Sequence, residues 1–409
     1  MRSSVLKLLA ENSTSFKKYI DHASGRESSI VCRYRNAVQL DDRPEHDSVL
    51  KKYLLESSIS EGAHIVQLMT YKDVAIYILD ETSKMATGSL KSIDGCLTTA
   101  FSRMEGLESV VFESGGNTGS ALTQYGQKAG LETFFFCPLD NIDLLDSMLF
   151  HNRKAHLVGV EDRRRLKEFT NLFAGTAGIR HVPEKSWRNA AAMFRGLFIL
   201  EHLLAGRKFD WLSQAISAGF GPIGIYSVLK TYQAEIQVLP RFLGIQQEVN
   251  CPMFELWKCN SPGNKMAGKK KEEKLLTRVM YDETPQSYKT FEDLQQLLLL
   301  TRGDMLTVNG DEFDSCMPPF VKYGDIIKLL FSQGITISVR SGHILEKTGL
   351  MALAGTLKAI DTGIIQSGGS VLCCLTSGVS RADSHAQPEM IIRSTEDVLH
   401  YAESVLGGK

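Results

Sequence analysis

The chain has little of what marks the more specialised protein classes. None of its apolar runs approaches the roughly 18 residues of a membrane span; the longer ones, such as residues 297–300 (LLLL), are of core size. The opening stretch MRSSVLKLLAENSTSF carries too short an apolar segment for a secretory signal. A formal net charge of −1 leaves no excess of either sign, so neither nucleic acid nor an anionic membrane is expected as a partner. The eight cysteines (Cys32, Cys96, Cys137, Cys251, Cys259, Cys316, Cys373, Cys374) include no C-x-x-C pair. That spacing argues against a zinc ribbon, and no metal site is expected. Cysteines scattered through apolar stretches, with no targeting segment, suit reduced thiols in a cytoplasmic protein. There is no internal repeat, and the first sixty residues carry no interpretable motif.

What is present is a globular composition, 43% hydrophobic and 23% charged, over 409 residues, long enough for two lobes. Short apolar runs alternate with amphipathic ones. Residues 73–80 (DVAIYILD), 108–112 (ESVVF), 133–137 (TFFFC), 156–160 (HLVGV), 241–246, 335–339 and 371–375 read as strands. Residues 120–129, 187–205 and 223–234 read as helices. That rhythm predicts open α/β sheets with helices on both faces and ligands at the carboxyl ends of the strands. The polar segment 260–274 (NSPGNKMAGKKKEEK) interrupts it and reads as a surface loop, or as a flap near a site.

Three segments carry chemistry. In residues 87–92, TGSLKS, Lys91 sits among small residues between a strand and a helix start. A lysine nucleophile needs such a place, with room for a ring above the amine. An isolated lysine beside Ser and Gly is more often surface decoration. Residues 113–120, ESGGNTGS, follow a strand directly; glycines admit close approach, and the helix start offers free N–H groups to a carboxylate. An ordinary capped turn has the same composition. Residues 218–224, AGFGPIG, again join strand to helix and can cradle a phosphate in backbone N–H groups. Gly219, Gly221 and Gly224 also satisfy G-x-G-x-x-G, the dinucleotide fingerprint, so an NAD(P)-dependent oxidoreductase is the alternative. Against it, the motif lies past the chain's midpoint and Pro222 removes an N–H donor.

Taken together and in this order, the segments resemble those of the pyridoxal phosphate (PLP) enzymes of fold type II, the tryptophan synthase β-like group that includes threonine synthase and cysteate synthase. In that group a P-T-G-S-F-K-like segment carries the Schiff-base lysine; here it reads ATGSLK, with Ala86 in place of proline. S-G-N-T-G is matched by Ser114-Gly115-Gly116-Asn117-Thr118-Gly119, and the phosphate loop by residues 219–224. A later L-T-G-x-G-x-K-D segment is matched by residues 375–383, LTSGVSRAD. The likeness covers roughly residues 75 to 385.

The resemblance implies two lobes of open α/β sheet with the cofactor in the cleft between them. It divides the chain into an N-terminal segment 1–60 packed on the large domain, a smaller substrate-binding domain 61–185 and a larger phosphate-binding domain 186–409. Lys91 would hold PLP and move the proton at the substrate α-carbon. Asn117 would meet the cofactor's 3′-oxygen; Ser114, Gly116 and Thr118 would hold the substrate carboxylate. Backbone N–H groups of Gly219, Phe220, Gly221, Ile223 and Gly224 would hold the phosphate, and Thr376 would face the pyridine nitrogen. The implied activity is a lyase or transferase (synthase) performing β-replacement, elimination or γ-replacement on an activated amino acid such as O-phosphoserine or O-phosphohomoserine, with a small nucleophile as second substrate and a homodimer as the expected assembly. A phosphorylated substrate would need a cation nearby, and Arg103, Lys154, Arg340 and Arg381 are candidates. His343 and Glu346 are further candidates for the pocket wall. The remaining alternative is a non-catalytic relative that keeps the fold as a binding protein.

Overall fold

The computed structural model describes residues 5–9, 12–41, 43–259, 275–281, 288–316, 326–340, 343–379 and 385–407. Two sheets organise them. The larger has six strands in the order Asp304–Val308, Arg241–Gln247, Trp211–Ala215, Ser370–Leu375, Val74–Asp80 and His64–Tyr71. Every pairing in it is parallel except the last, a hairpin. That hairpin turns through Lys72 and Asp73, both at positive φ (46° and 64°), the geometry that a two-residue turn demands. The smaller sheet has five strands, all parallel, in the order Met390–Ile392, Ala155–Val160, Glu132–Pro138, Ser109–Glu113 and Arg180–His181. Parallel strands covered on both faces read as unbroken apolar runs. Phe134, Phe135 and Phe136 accordingly have no exposure at all.

The sheets do not follow the division at 61–185 and 186–409. His64–Tyr71 and Val74–Asp80 belong to the larger sheet, through the pairing of Val74–Asp80 with Ser370–Leu375. Met390–Ile392 returns to the smaller sheet beside Ala155–Val160, and the helix Thr395–Gly407 packs there through Val398, Tyr401 and Ala402. The N-terminal segment lies on the larger sheet's helices, with Phe16 in ring contact with Tyr34 and Tyr232.

Residues 335–339 are not a sheet strand. Ile335 and Ile337 are buried, which gives the alternation of a strand, but their backbone serves loops. The Thr336 N–H donates to Ser83 Oγ at 2.7 Å and the Ser338 N–H to the Gly378 carbonyl at 2.8 Å. Only Val339–Arg340 pairs, with His343–Ile344. His64–Tyr71 escaped the alternation because its register shifts between Gln67 and Met69. The segment 260–274 lies outside the described residues, and no helix among those described is long and apolar enough to cross a membrane.

One buried cluster contributes to how the fold responds to acid. On the helix Lys185–Leu204, Glu201 accepts from Arg33 Nε (2.9 Å) and Nη2 (2.8 Å), from the Tyr34 hydroxyl (2.5 Å) and from Arg26. Burial opposes its ionisation, but these donors outweigh burial and bring the carboxyl down to about 2. His202 beside it is held neutral by burial and by the positive charge of Arg207 and Arg26, down to about 4. A depressed carboxyl stabilises the fold above its unfolded value and loses that contribution as pH falls through the folded one. A depressed histidine must likewise be charged on unfolding below its ordinary value. Both signs agree: the melting temperature is expected to fall in two stages, between pH 6.5 and 4 and again below 4.5. Glu201→Gln should shrink the second stage in a pH series of thermal melts, the remainder coming from other depressed carboxyls such as Asp21 and Glu389.

Candidate functional site

Four loops leave the carboxyl ends of parallel strands and converge: residues 81–90 after Val74–Asp80, 114–116 after Ser109–Glu113, 216–219 after Trp211–Ala215, and 376–379 after Ser370–Leu375. A cleft of about 840 Å³, open to solvent, is lined by parts of all four. Lys91, Asn117, Thr118, Gly219 and Thr376 are in its wall.

Lys91 is the first residue of the helix Lys91–Met104, and two sets of contacts fix it there. Within its own loop, the Thr87 N–H donates to Ser92 Oγ at 3.0 Å. Across to the C-terminal loop, the Leu90 N–H donates to the Thr376 carbonyl at 2.9 Å, and Ser89 bridges Ser377. Gly88 lies at φ +68°, and a Cβ on it would stand 2.5 Å from the Val379 carbonyl oxygen. Only glycine allows both that backbone and that approach. The Lys91 amine, partly exposed, rests 3.1 Å from Asp94 Oδ2 one turn along the helix.

Asn117 opens the helix Asn117–Lys128 behind Gly116, whose φ of 152° and ψ of −88° suit glycine. Its amide donates to Ser377 Oγ at 3.2 Å and to Glu346 Oε2 at 3.4 Å. Glu346 is itself buried and accepts the Thr348 N–H at 2.8 Å. Asn117 therefore joins the loop of the smaller sheet to two elements of the larger one. The Gly116 N–H is spent on Ser114 Oγ at 3.1 Å. Gly119 is a packing glycine: a Cβ there would stand 2.0 Å from the Phe135 ring.

The glycine loop after Trp211–Ala215 turns at Gly219, φ +82°, directly into the helix Phe220–Thr231. The helix begins three residues before the 223 expected from the sequence, because Pro222 in a first turn costs no intrahelical hydrogen bond. Consequently the Ile223 N–H already donates to the Gly219 carbonyl, at 3.3 Å. Gly224 sits inside the helical ladder with its Cα against Ala192. Gly219, Phe220 and Gly221 line the cleft; Ile223 and Gly224 do not.

Beneath this loop lies a buried ion pair that sequence reading missed. Arg195 Nε and Nη2 meet Glu81 Oε1 and Oε2 at 2.5 and 2.6 Å, and Nη2 also donates to Gln214 Oε1 at 2.9 Å. Both side chains are 1% exposed. Burial works against the arginine's charge, but the facing carboxylate outweighs it and raises the Arg195 pKa. Arg195 interrupts the apolar run AAAMFRGLFIL, and Glu81 directly follows a strand; each is the kind of misplaced charge that signals a buried partner.

The cleft has two arms. One, beyond Ser114 and Thr118, is walled by Arg163, Arg164, Lys167 and Arg188. The other passes Gly116, Asn117 and Glu346, and its lining includes Leu144, Leu145, Leu149 and Leu276 with Gln124 and Gln127. So Gly116 faces a different arm from Ser114 and Thr118. Arg103 is paired with Glu56, and Lys154 reaches the Gly130 carbonyl; neither lines the cleft or its arms. Arg381 and the side chains of Arg340 and His343 lie outside the described residues.

No family model matches the chain. Among curated proteins it is similar to the cysteate synthase of Methanosarcina barkeri, with 24% identity over 303 residues, 71% of this chain and 68% of that one. Among solved structures it resembles the processed form of threonine deaminase isoform 2 from Solanum lycopersicum, with TM-score 0.56 and 16% identity over 88% of this chain and 94% of that one. The chain has the fold of the type II PLP enzymes. O-ureido-L-serine synthase shares it, with TM-score 0.52 and 14% identity over 79% of this chain and 91% of that one. In the type II fold the cofactor cleft lies between two lobes, and here Lys91, Asn117 and Thr376 meet between the two sheets.

Proposed function

We propose that this chain binds PLP at Lys91 and uses it for replacement or elimination on an amino acid activated at its β- or γ-carbon. The observation that carries the reading is the convergence of Lys91, Asn117, Thr376 and the loop at Gly219 on one cleft, in a fold of that enzyme group. The cleft fits the cofactor's parts. Phe220 and Gly221 open a helix with N–H groups that the helix itself does not use, a seat for phosphate. A buried arginine nitrogen without a partner lies beside that seat. Lys91 stands across the same cleft, and Thr376 and Ser377 supply hydroxyls at its floor.

Bound there, PLP supplies a ring that draws electrons from the substrate α-carbon. The chain's own residues do the rest. Lys91 Nζ would hold the cofactor and would act as the base at the substrate α-carbon. Asp94 Oδ2, 3.1 Å away, orients that amine. The Asn117 amide, whose two Nδ2 hydrogens are given to Ser377 and Glu346, would release one of them to donate to the ring oxygen. Ser114 Oγ and the N–H groups of Asn117 and Thr118 at the helix start would bind the substrate carboxylate. Thr376 would meet the pyridine nitrogen with a neutral hydroxyl, and a neutral partner there would suit elimination and replacement better than transamination. The arm walled by Arg163, Arg164, Lys167 and Arg188 favours an anionic leaving group, such as the phosphate of O-phosphoserine or O-phosphohomoserine.

The test is an absorbance screen of the purified protein with phosphorylated and unphosphorylated amino acids. A phosphorylated donor is expected to shift the cofactor spectrum and release phosphate. A colourless protein that takes up no PLP, or one that responds only by transaminating, contradicts the proposal.

A further inference from the structure

The phosphate seat is short of backbone donors. Of the first residues of the helix Phe220–Thr231, Pro222 has no N–H, and the Ile223 N–H is already given to Gly219. Phe220 and Gly221 are left, with Gly219 ahead of them. A phosphate monoester carries close to two charges and many acceptor sites, so two or three amides satisfy it incompletely.

Arg195 stands where the deficit is. Its Nε and Nη2 are occupied by Glu81 and Gln214, but Nη1 is buried and has no partner. That nitrogen lies 2.7 Å from where a Cβ on Gly221 would be. Gly221 is thus the residue that lets the guanidinium reach the loop; any side chain there would drive it off. Gln214 approaches the same point from the strand that leads into the loop, its amide nitrogen at 2.6 Å. A small cavity beside the loop is lined by Lys91, Asp94, Arg188, Arg195, Phe220 and Gly221, so the arginine and the lysine share one space. The pairing with Glu81 explains how so buried an arginine is tolerated and why its orientation is fixed. Both Glu81 oxygens are taken by one face of the fork, and the remaining nitrogen is turned to the loop.

We infer that Arg195 is an anion-binding residue: its free Nη1 donates to a phosphate monoester seated at the start of the helix Phe220–Thr231, replacing the donor that Pro222 removes. Glu81 is the positioning residue that holds the guanidinium for this, and Gly221 is the opening through which it acts. The identification of the monoester with the phosphate of PLP rests on the function proposed above; the anion seat itself does not.

The experiment compares PLP with pyridoxal, which lacks the phosphate, as ligands of the full-length protein freed of cofactor. Wild type, Arg195→Lys and the charge-neutral double variant Glu81→Gln/Arg195→Gln are titrated by absorbance, and melts with and without inorganic phosphate are recorded. Arg195→Lys keeps a charge for Glu81 but loses the fork. It is expected to weaken PLP at least about tenfold while leaving pyridoxal within about twofold. Inorganic phosphate should raise the melting temperature of wild type and not of either variant. Equal losses for PLP and pyridoxal, or an unchanged PLP affinity, would overturn the inference, since a merely structural arginine does not discriminate the phosphate. If wild type takes up neither PLP nor pyridoxal yet inorganic phosphate stabilises it through Arg195, the anion seat stands and the PLP reading falls. If phosphate stabilises neither wild type nor variants and PLP binding ignores Arg195, the seat falls.

Discussion

Lys91→Ala is expected to leave a folded protein with no cofactor absorbance near the visible and with turnover reduced by at least about 10³-fold. The fold should survive because the loop around position 91 is held by backbone and neighbouring side chains. The Leu90 N–H to Thr376, the Ser89–Ser377 bridge and the Thr87–Ser92 bond owe nothing to the lysine side chain. The amine's recorded partner is Asp94, and losing it exposes one mostly buried carboxylate to the water of the open cleft. Turnover should collapse because no other lysine lines the cleft beside Asn117 and Thr376 among the described residues. Near-wild-type melting together with lost absorbance is therefore the signature. A variant that keeps both colour and turnover would place the chemistry on another lysine.

Glu81→Ala is expected to be the more damaging substitution for stability, at about 3–5 kcal/mol. It removes two short charge-assisted bonds and strands an arginine that is 1% exposed, with Gln214 as its remaining acceptor. The cost of the unpaired charge exceeds the worth of the pair, so Glu81→Gln/Arg195→Gln should be markedly less destabilised than Glu81→Ala. Urea or thermal unfolding of the three proteins checks the order. If Glu81→Ala melts within about a degree of wild type, the ion pair does not hold the floor of the cleft.

The sequence made the wall of the cleft more legible than the frame behind it. Lys91, Asn117 and Thr376 could be found because each loop leaves a parallel strand with its own glycine punctuation, and parallel strands buried on both faces announce themselves as apolar runs. The extent of the glycine loop was harder. Pro222 reads as a helix breaker, yet in the first turn it starts the helix, and so Ile223 and Gly224 belong to the helix rather than the seat. Partner choice between strands was not legible at all. Nothing local tells Val74–Asp80 to pair with Ser370–Leu375, or Met390–Ile392 to cross back to the smaller sheet. The Glu81–Arg195 pair joins residues 114 apart in sequence, and only the fold brings them within 2.6 Å. The basic arm went unread for the same reason: Arg188 and Arg163 come from separate elements that meet only at the cleft.

The central claim is that Lys91 carries the cofactor. Borohydride reduction of the protein incubated with PLP, followed by peptide mass mapping, tests it most directly. A pyridoxyl group is expected on the peptide containing Lys91 and nowhere else. A modified peptide that lacks Lys91, or no modified lysine after full reduction, would contradict the account.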